Sequence, residues 1–445
     1  MGLSIKTINT GLGIRTNYYD ADFTKIGKVA KQAVQEISSR QGKSGQFLNW
    51  VELPEQQLKR VDYIYDTVRQ IKSQTPAKFL SVIGIGGSKH PVEHMLGING
   101  LNLDKSVKFM SDIDTVSNNR FLRTIGDDVT NSNFLVVSKS GSTFEPKDAL
   151  VRFKEMVTSA YKGKGASAEE AQKLTSKHFV AVTDKSNATS ELRRTAISEN
   201  WAGDLFIHDD VGGRFSAFDD HTLFTLAYAG MKKKDMIAML NGAKDMTKIA
   251  LSPDLAKNDP LAQAMFWVNA KKNGTNTSVH QYLGSMFEDT VNWHSQMQNE
   301  SIKTTTKQIT KVPDAMHHSA EAHFNDANRF AFALTSPEAK GLLKENVNGY
   351  VGALNKSYAN VGPHFNEVVE VGELGLTPQS AGALTQSRAF STVYQEPIEN
   401  ILENKPQPSV LKGVLQPFVE VYKKNLKPEV GKPDVVVAGR VQNKP

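Results

Sequence analysis

Phe134-Leu135-Val136-Val137 runs straight into Ser138-Lys139-Ser140-Gly141-Ser142-Thr143-Phe144-Glu145-Pro146, and this second half gathers groups suited to an anion. Ser138, Ser140, Ser142 and Thr143 can each donate a hydroxyl proton, and Lys139 adds a positive charge. Pro146 stands where a helix can begin, with its free backbone N–H groups facing the ligand. The apolar run reads as a strand buried on both faces, and in open α/β sheets ligands collect beyond the carboxyl ends of such strands. A Ser-rich turn that merely caps the next helix has the same composition, so a second stretch has to decide. Phe79-Leu80-Ser81-Val82-Ile83 ends in Gly84-Ile85-Gly86-Gly87-Ser88. Glycines at 86 and 87 let the backbone approach a phosphate, and Ser88 adds a hydroxyl. A dinucleotide fingerprint needs a further glycine three residues after Gly86, where Lys89 stands, so NAD is not the expected ligand.

Four other stretches carry groups able to move protons or stabilise charge. Val211-Gly212-Gly213-Arg214-Phe215-Ser216 sets an arginine on a double-glycine turn. Its guanidinium can steady negative charge developing on oxygen, or it can pair with Asp209 or Asp210. Gln296 and Glu300 fall one turn apart on one face of a helix that starts near Met286. Glu300 is a suitable base for carrying a proton between adjacent carbons, or it is a solvated surface residue. Met316-His317-His318-Ser319 offers an imidazole acid or base; the two rings point to different sides and no carboxylate stands at ligand spacing, so a zinc site is not expected. Gln416-Pro417-Phe418-Val419-Glu420-Val421-Tyr422-Lys423 starts a helix at its proline and carries a lysine about two turns in.

These residues need a scaffold of alternating strands and helices. Strand patterns recur at Val107 to Met110, Phe179 to Val182 and Leu205 to Ile207, with helical patterns at Pro146 to Tyr161 and Ser190 to Glu199, which predicts a doubly wound parallel sheet over 77–225. A second α/β domain of the same type is expected over 226–410. Its strands are read at Ser278 to Leu283, Phe330 to Leu334 and Glu367 to Val371, with a long helix from Pro378 to Val393. Residues 1–76 read as a helical segment, and 411–445 as a carboxyl-terminal helix and tail. At 445 residues the chain exceeds one hydrophobic core, and its 39% hydrophobic and 22% charged residues are ordinary globular usage. With neither a signal-like amino terminus nor a long apolar run, it reads as soluble and cytoplasmic. Zero Cys removes disulfides, thiolate metal sites and a cysteine nucleophile. The net charge is +6, but the 53 Lys and Arg form no long basic tract, which favours a small anionic ligand over nucleic acid or a membrane surface.

Taken in order, Gly86-Gly87-Ser88, Ser138 to Pro146, Val211 to Ser216, Gln296 with Glu300-Ser301, His318-Ser319, and Gln416-Pro417 with Lys423 resemble the ordered motifs of the glucose-6-phosphate isomerase family. The resemblance covers roughly residues 77 to 425 and implies two sugar-isomerase domains, each a parallel sheet flanked by helices. It further implies reversible conversion of glucose 6-phosphate and fructose 6-phosphate through an enediolate, in glycolysis and gluconeogenesis. Gly87, Ser88, Ser138, Lys139, Ser140 and Thr143 would hold the sugar phosphate, and Gln296 and Gln416 would line the pocket. Arg214 would steady the enediolate, Glu300 would carry the proton, and His318 and Lys423 would serve ring opening. Neither metal nor organic cofactor is implied, and a homodimer is, with His318 acting in the neighbouring subunit's site. The sequence departs from the family pattern at Ile302-Lys303, at Phe418 and at His317 beside His318. Rival readings are a non-catalytic phosphosugar-binding regulator, which would need only the phosphate cradle, and an isomerase of broader phosphosugar range.

Overall fold

The computed structural model describes residues 5–19, 27–111, 121–125, 128–186, 188–203, 205–275, 277–302, 307–311, 330–338, 342–356 and 363–409. The chain opens as a hairpin where a helical segment is expected: β1 (Ile5–Asn9) and β2 (Ile14–Tyr19) pair antiparallel. Ile14, Thr16 and Tyr18 point inward along β2, the period-two alternation of a strand with one buried face. The polar Thr16 at an inward position hides that period in a hydropathy reading. The helices expected next are present, at Gly27–Arg40 and Val61–Gln74.

The first sheet is parallel throughout. It contains β3 (Phe79–Ile83), β4 (Val107–Met110), β5 (Ser132–Val137), β6 (Phe179–Thr183) and β7 (Leu205–Phe206), in the order β4-β3-β5-β6-β7. Counted along this sheet alone, that is the order 2-1-3-4-5, in which the chain reverses its direction of travel between β3 and β5. Loops leaving those two strands diverge and open a crevice at their carboxyl ends. Every residue of β5 and β6 is buried, which is why both read as continuous apolar runs.

The second sheet is mixed. It adds β8 (Thr277–Tyr282), β9 (Lys307–Lys311), β10 (Phe330–Pro337) and β11 (His364–Val369), in the order β1-β2-β11-β10-β8-β9. The last four strands run parallel, and β2 lies antiparallel to β11. The expected parallel domain is therefore completed by the amino-terminal hairpin, more than three hundred residues away in sequence. Strand β11 also begins at His364, ahead of the expected Glu367. One apolar core joins helix Val61–Gln74, strands β3 and β5, and helices Lys233–Ala250 and Pro378–Val393 through Leu80, Leu135, Met239, Leu240 and Leu384. Among the described residues no helix is long and apolar enough to cross a membrane.

Candidate active site

The two double-glycine turns meet back to back. Gly86–Ser88 is a single 3-10 turn leaving β3, and Gly213–Phe215 is another that follows β7. A Cβ placed on Gly87 would lie 2.4 Å from the Gly213 carbonyl carbon, a backbone approach that only glycine permits. Ser216 Oγ closes the contact, 3.0 Å from Gly87 O and 2.6 Å from Gly213 O. Motifs well over a hundred residues apart thus form one clasp.

Against the clasp lies helix Glu288–Ser301. Its face bearing Trp293 and Met297 is buried, so the face bearing Gln296 and Glu300 turns toward the two glycine turns. Arg214 Nε donates to Ser301 Oγ at 2.7 Å and Arg214 Nη1 to Glu300 Oε2 at 3.4 Å. Gln296 Nε2 donates to the other oxygen, Glu300 Oε1, at 2.9 Å. A Cβ on Gly86 would stand 3.2 Å from that same Nε2, so the Gly86 turn presses on Gln296. Glu300 is thereby held between a cation and an amide while remaining 29% exposed, as a group that must reach a ligand has to be. The alternative in which Arg214 pairs with Asp209 or Asp210 is not what the structure has; Asp210 Oδ2 instead accepts from Gly45 N at 2.7 Å. Burial lowers the pKa of Arg214, and the Glu300 charge opposes that shift. Starting from an arginine value, the guanidinium stays protonated at neutral pH. Arg214 also lines a cavity of about 120 Å³ with Phe47, Leu48, Trp50, Phe215 and Val393.

The hydroxyl-rich turn leaves the adjacent strand. Ile83 of β3 pairs with Val136 of β5, and a Cβ on Gly84 would fall 2.7 Å from Ser88 Cβ and 3.4 Å from Val137 Cβ, so the two strand ends open side by side. Ser138 is buried, accepting from Gly141 N at 3.2 Å and donating to Thr143 Oγ1 at 3.5 Å. Gly141 takes a φ of +73°, and a Cβ there would strike Leu192 N at 2.4 Å. Lys139 and Ser140 are exposed, and Ser140 Oγ bonds Ser142 Oγ at 2.7 Å. Thr143 is the cap residue of helix Phe144–Gly163, yet its hydroxyl does not cap it. The first N–H groups of that helix therefore lack a side-chain cap from Thr143, at the positive end of the helix dipole.

One acidic cluster resembles a metal site: His208, Asp219 and Asp220 are buried together. Its oxygens are already committed, Asp219 Oδ1 to His208 Nδ1 at 2.6 Å and Asp220 to Arg60 and Gln57.

No model of a known protein family matches the chain. The chain is similar to the glucose-6-phosphate isomerase of Acetivibrio thermocellus, with 29% identity over 91% of each chain. It is also similar to the glucose-6-phosphate isomerase of Streptococcus pneumoniae, with 25% identity over 88% of each. A crystal structure of a glucose-6-phosphate isomerase from Chlamydia trachomatis shares the fold with a TM-score of 0.72 at 18% identity, over 94% of this chain and 88% of that one. The chain is thus similar, over most of its length, to glucose-6-phosphate isomerases.

Of the residues the glucose-6-phosphate isomerase motifs single out, the structure gathers Gly87, Arg214, Gln296 and Glu300 into one connected set, and places Ser88 beside the strand end that leads to Ser138. Lys139, Ser140 and Thr143 share the turn after β5, where Thr143 bonds Ser138 and Ser140 bonds Ser142. His318, Gln416 and Lys423 lie outside the described residues. Ser216 and Ser301 have structural parts that sequence reasoning did not assign. Each directly follows or closes a motif, but only its partner across the fold reveals what it binds.

Proposed function

We propose that this chain is an aldose–ketose isomerase interconverting glucose 6-phosphate and fructose 6-phosphate, with Glu300 as the base. The observation that carries the reading is the Glu300 carboxylate, held by Arg214 on one oxygen and Gln296 on the other beside the glycine turn at the end of β3. A regulator that only senses phosphosugars needs the phosphate cradle and has no use for this pair. The phosphate lies in the turn of Ser138, Lys139, Ser140 and Thr143, with Ser88 and the backbone at Gly87 beside it, where hydroxyls, a cation and helix N–H groups converge. After ring opening, served by His318 and Lys423, Glu300 takes the proton from the second carbon of the aldose and leaves an enediolate. Arg214 faces the charge that develops on the oxygens, an interaction stronger in the intermediate than in the neutral sugar. Glu300 then returns the proton to the first carbon, the hydroxyl proton at the second carbon's oxygen moves to the first carbon's oxygen, and the ketose results. Gln296 and Gln416 line the pocket. The working form is a cytoplasmic homodimer in which His318 completes the neighbouring site.

The test is a coupled assay of fructose 6-phosphate conversion with a chelator present, together with solvent deuterium exchange at the second carbon. Glu300→Gln keeps the shape and is expected to lower kcat by about two or more orders of magnitude with little change in KM. A wild-type protein that converts no phosphosugar, or a Glu300→Gln variant that still exchanges hydrogen at the wild-type rate, sinks the reading.

A further inference from the structure

A cation that stabilises a transition state works best when it is already in place, because no reorganisation is then needed at the moment of reaction. The tip of Arg214 is held by Ser301 and Glu300. A side chain held only at its tip still moves with its turn, so the turn needs a hold of its own. Trp293 supplies it: Nε1 donates to the Arg214 carbonyl oxygen at 2.9 Å. Trp293 lies about two turns before Glu300 on the same helix, with 1% of its surface exposed. One helix therefore presents the carboxylate and grips the backbone of its partner cation.

The indole is itself fixed. The His94 ring lies flat on it, with centroids 3.9 Å apart and planes 14° apart. Both nitrogens of His94 are tied at 2.9 Å, Nδ1 to Thr290 Oγ1 and Nε2 to Thr385 Oγ1. Burial, and to a lesser extent Arg388, pushes the His94 pKa well below its ordinary value, so the ring stacks as a neutral partner. For packing alone a phenylalanine at 293 would fill much of this space; what it lacks is the N–H.

We propose that Trp293 is a positioning residue for Arg214: its N–H, steadied by the stacked His94, sets the place of the guanidinium relative to the Glu300 carboxylate. It thereby governs stabilisation of the enediolate more than binding of the phosphosugar. The inference rests on the isomerase reading above, with Arg214 facing the enediolate.

Trp293→Phe keeps an aromatic face against His94 and removes the donor. Its kcat for fructose 6-phosphate is expected to fall about tenfold while KM stays within about twofold, the signature of a loss felt mainly in the transition state. Affinity for an aldonate 5-phosphate, whose carboxylate copies the enediolate charge, should fall by a similar factor. Affinity for a hexitol 6-phosphate, which carries the phosphate without that charge, should not change. Thr385→Val, which frees one nitrogen of His94 and leaves Trp293 in place, should give the same split at smaller size and covers the case in which Trp293→Phe does not fold. Equal losses for both analogues, or none for either, would mean that Trp293 only packs, and would overturn the proposal. A wild-type protein that binds the hexitol phosphate yet converts no fructose 6-phosphate overturns the isomerase reading itself. An active wild type in which Arg214→Ala loses the aldonate and Trp293→Phe does not overturns this inference alone.

Discussion

The interior of the first sheet is mostly hydrocarbon, with a few uncharged groups such as Ser81, Ser132 and Asn133 bonded among themselves or to Thr75, whereas the second sheet has a buried ion pair in its interior. In the first, Phe134 of β5 stacks on Phe179 of β6 at 4.8 Å and on Phe153 of the covering helix at 5.2 Å. In the second, Arg388 forms an ion pair with Glu367 and donates to Gln263 Oε1 at 2.7 Å, Thr335 Oγ1 at 2.7 Å and Tyr282 OH at 3.0 Å. Asp259 completes the cluster, receiving Tyr18 OH at 2.6 Å, Thr16 Oγ1 at 3.0 Å and Gln263 Nε2 at 2.9 Å. All of these groups are buried. The cluster thus joins the amino-terminal hairpin, helix Asp259–Lys272, helix Pro378–Val393 and strands β8, β10 and β11. A mostly apolar core such as the first is less exacting about its neighbours, while a buried charge is stable only beside its own partner. The second sheet assembles segments from both ends of the chain, and its polar interior specifies which segments meet. In the first sheet a cluster of hydroxyls and a lysine, Ser138 to Thr143, stands at the carboxyl edge instead.

If that contrast is right, damage to the second interior should appear as lost stability and damage to the first edge as lost turnover. Arg388→Met leaves Glu367 buried without its cation and should cost about 3–5 kcal/mol of stability, measured by urea unfolding. The folded fraction should keep turnover within a few-fold at low temperature. A loss below about 1 kcal/mol would show that the buried cluster does not hold the sheet together. Gly87→Ala should do the reverse, because its Cβ meets the Gly213 backbone and the two turns must part. A shift of about 1 Å at such a clasp is expected to cost about a hundredfold in kcat/KM, with a smaller change in unfolding midpoint. A variant with normal kcat/KM would show that the clasp does not place Arg214.

The smallest effect concerns pH. Burial first, and then the Glu367 charge, push the Asp259 pKa up to about 7. The folded state therefore holds a proton that the unfolded chain has released above about pH 4, and this contribution to stability declines as pH rises from about 4 to 7. Asp259→Asn cannot ionise. Relative to wild type, its stability should improve between pH 5 and pH 8, by on the order of 2 kcal/mol. A difference independent of pH would mean that Asp259 is ionised throughout, and that the second interior carries a full extra charge.

The same contrast explains what could be read without a structure. Continuous apolar runs at β3, β5 and β6 announce strands buried on both faces, and the reading of the first sheet follows from them. Strand β2 alternates Ile14, Thr16 and Tyr18 with Arg15 and Asn17, and two of its inward residues are polar because they bond Asp259. A helix reading prevailed there because the partner that makes Thr16 an interior residue lies 243 positions away. Glu367 likewise reads as an outward strand residue until Arg388 is brought beside it.

What the sequence by itself determined is local: glycine pairs at 86–87 and 212–213, hydroxyls and a lysine directly after an apolar strand, and a glutamine one helical turn before a glutamate. Each follows from residue type and a fixed backbone period, so no distant information is needed. Only the tertiary structure decided that Gly87 packs on Gly213, that Arg214 faces Glu300 instead of Asp209 or Asp210, and that Trp293 holds the Arg214 carbonyl. The Arg214 and Glu300 partners stand 86 residues apart, and Ser216 and Gly87 stand 129 apart. At such separations neither propensity nor spacing restricts which groups meet. The choice is made when the strands order themselves as β4-β3-β5-β6-β7 and the helix bearing Glu300 buries Trp293 against His94 of helix His90–Ile98.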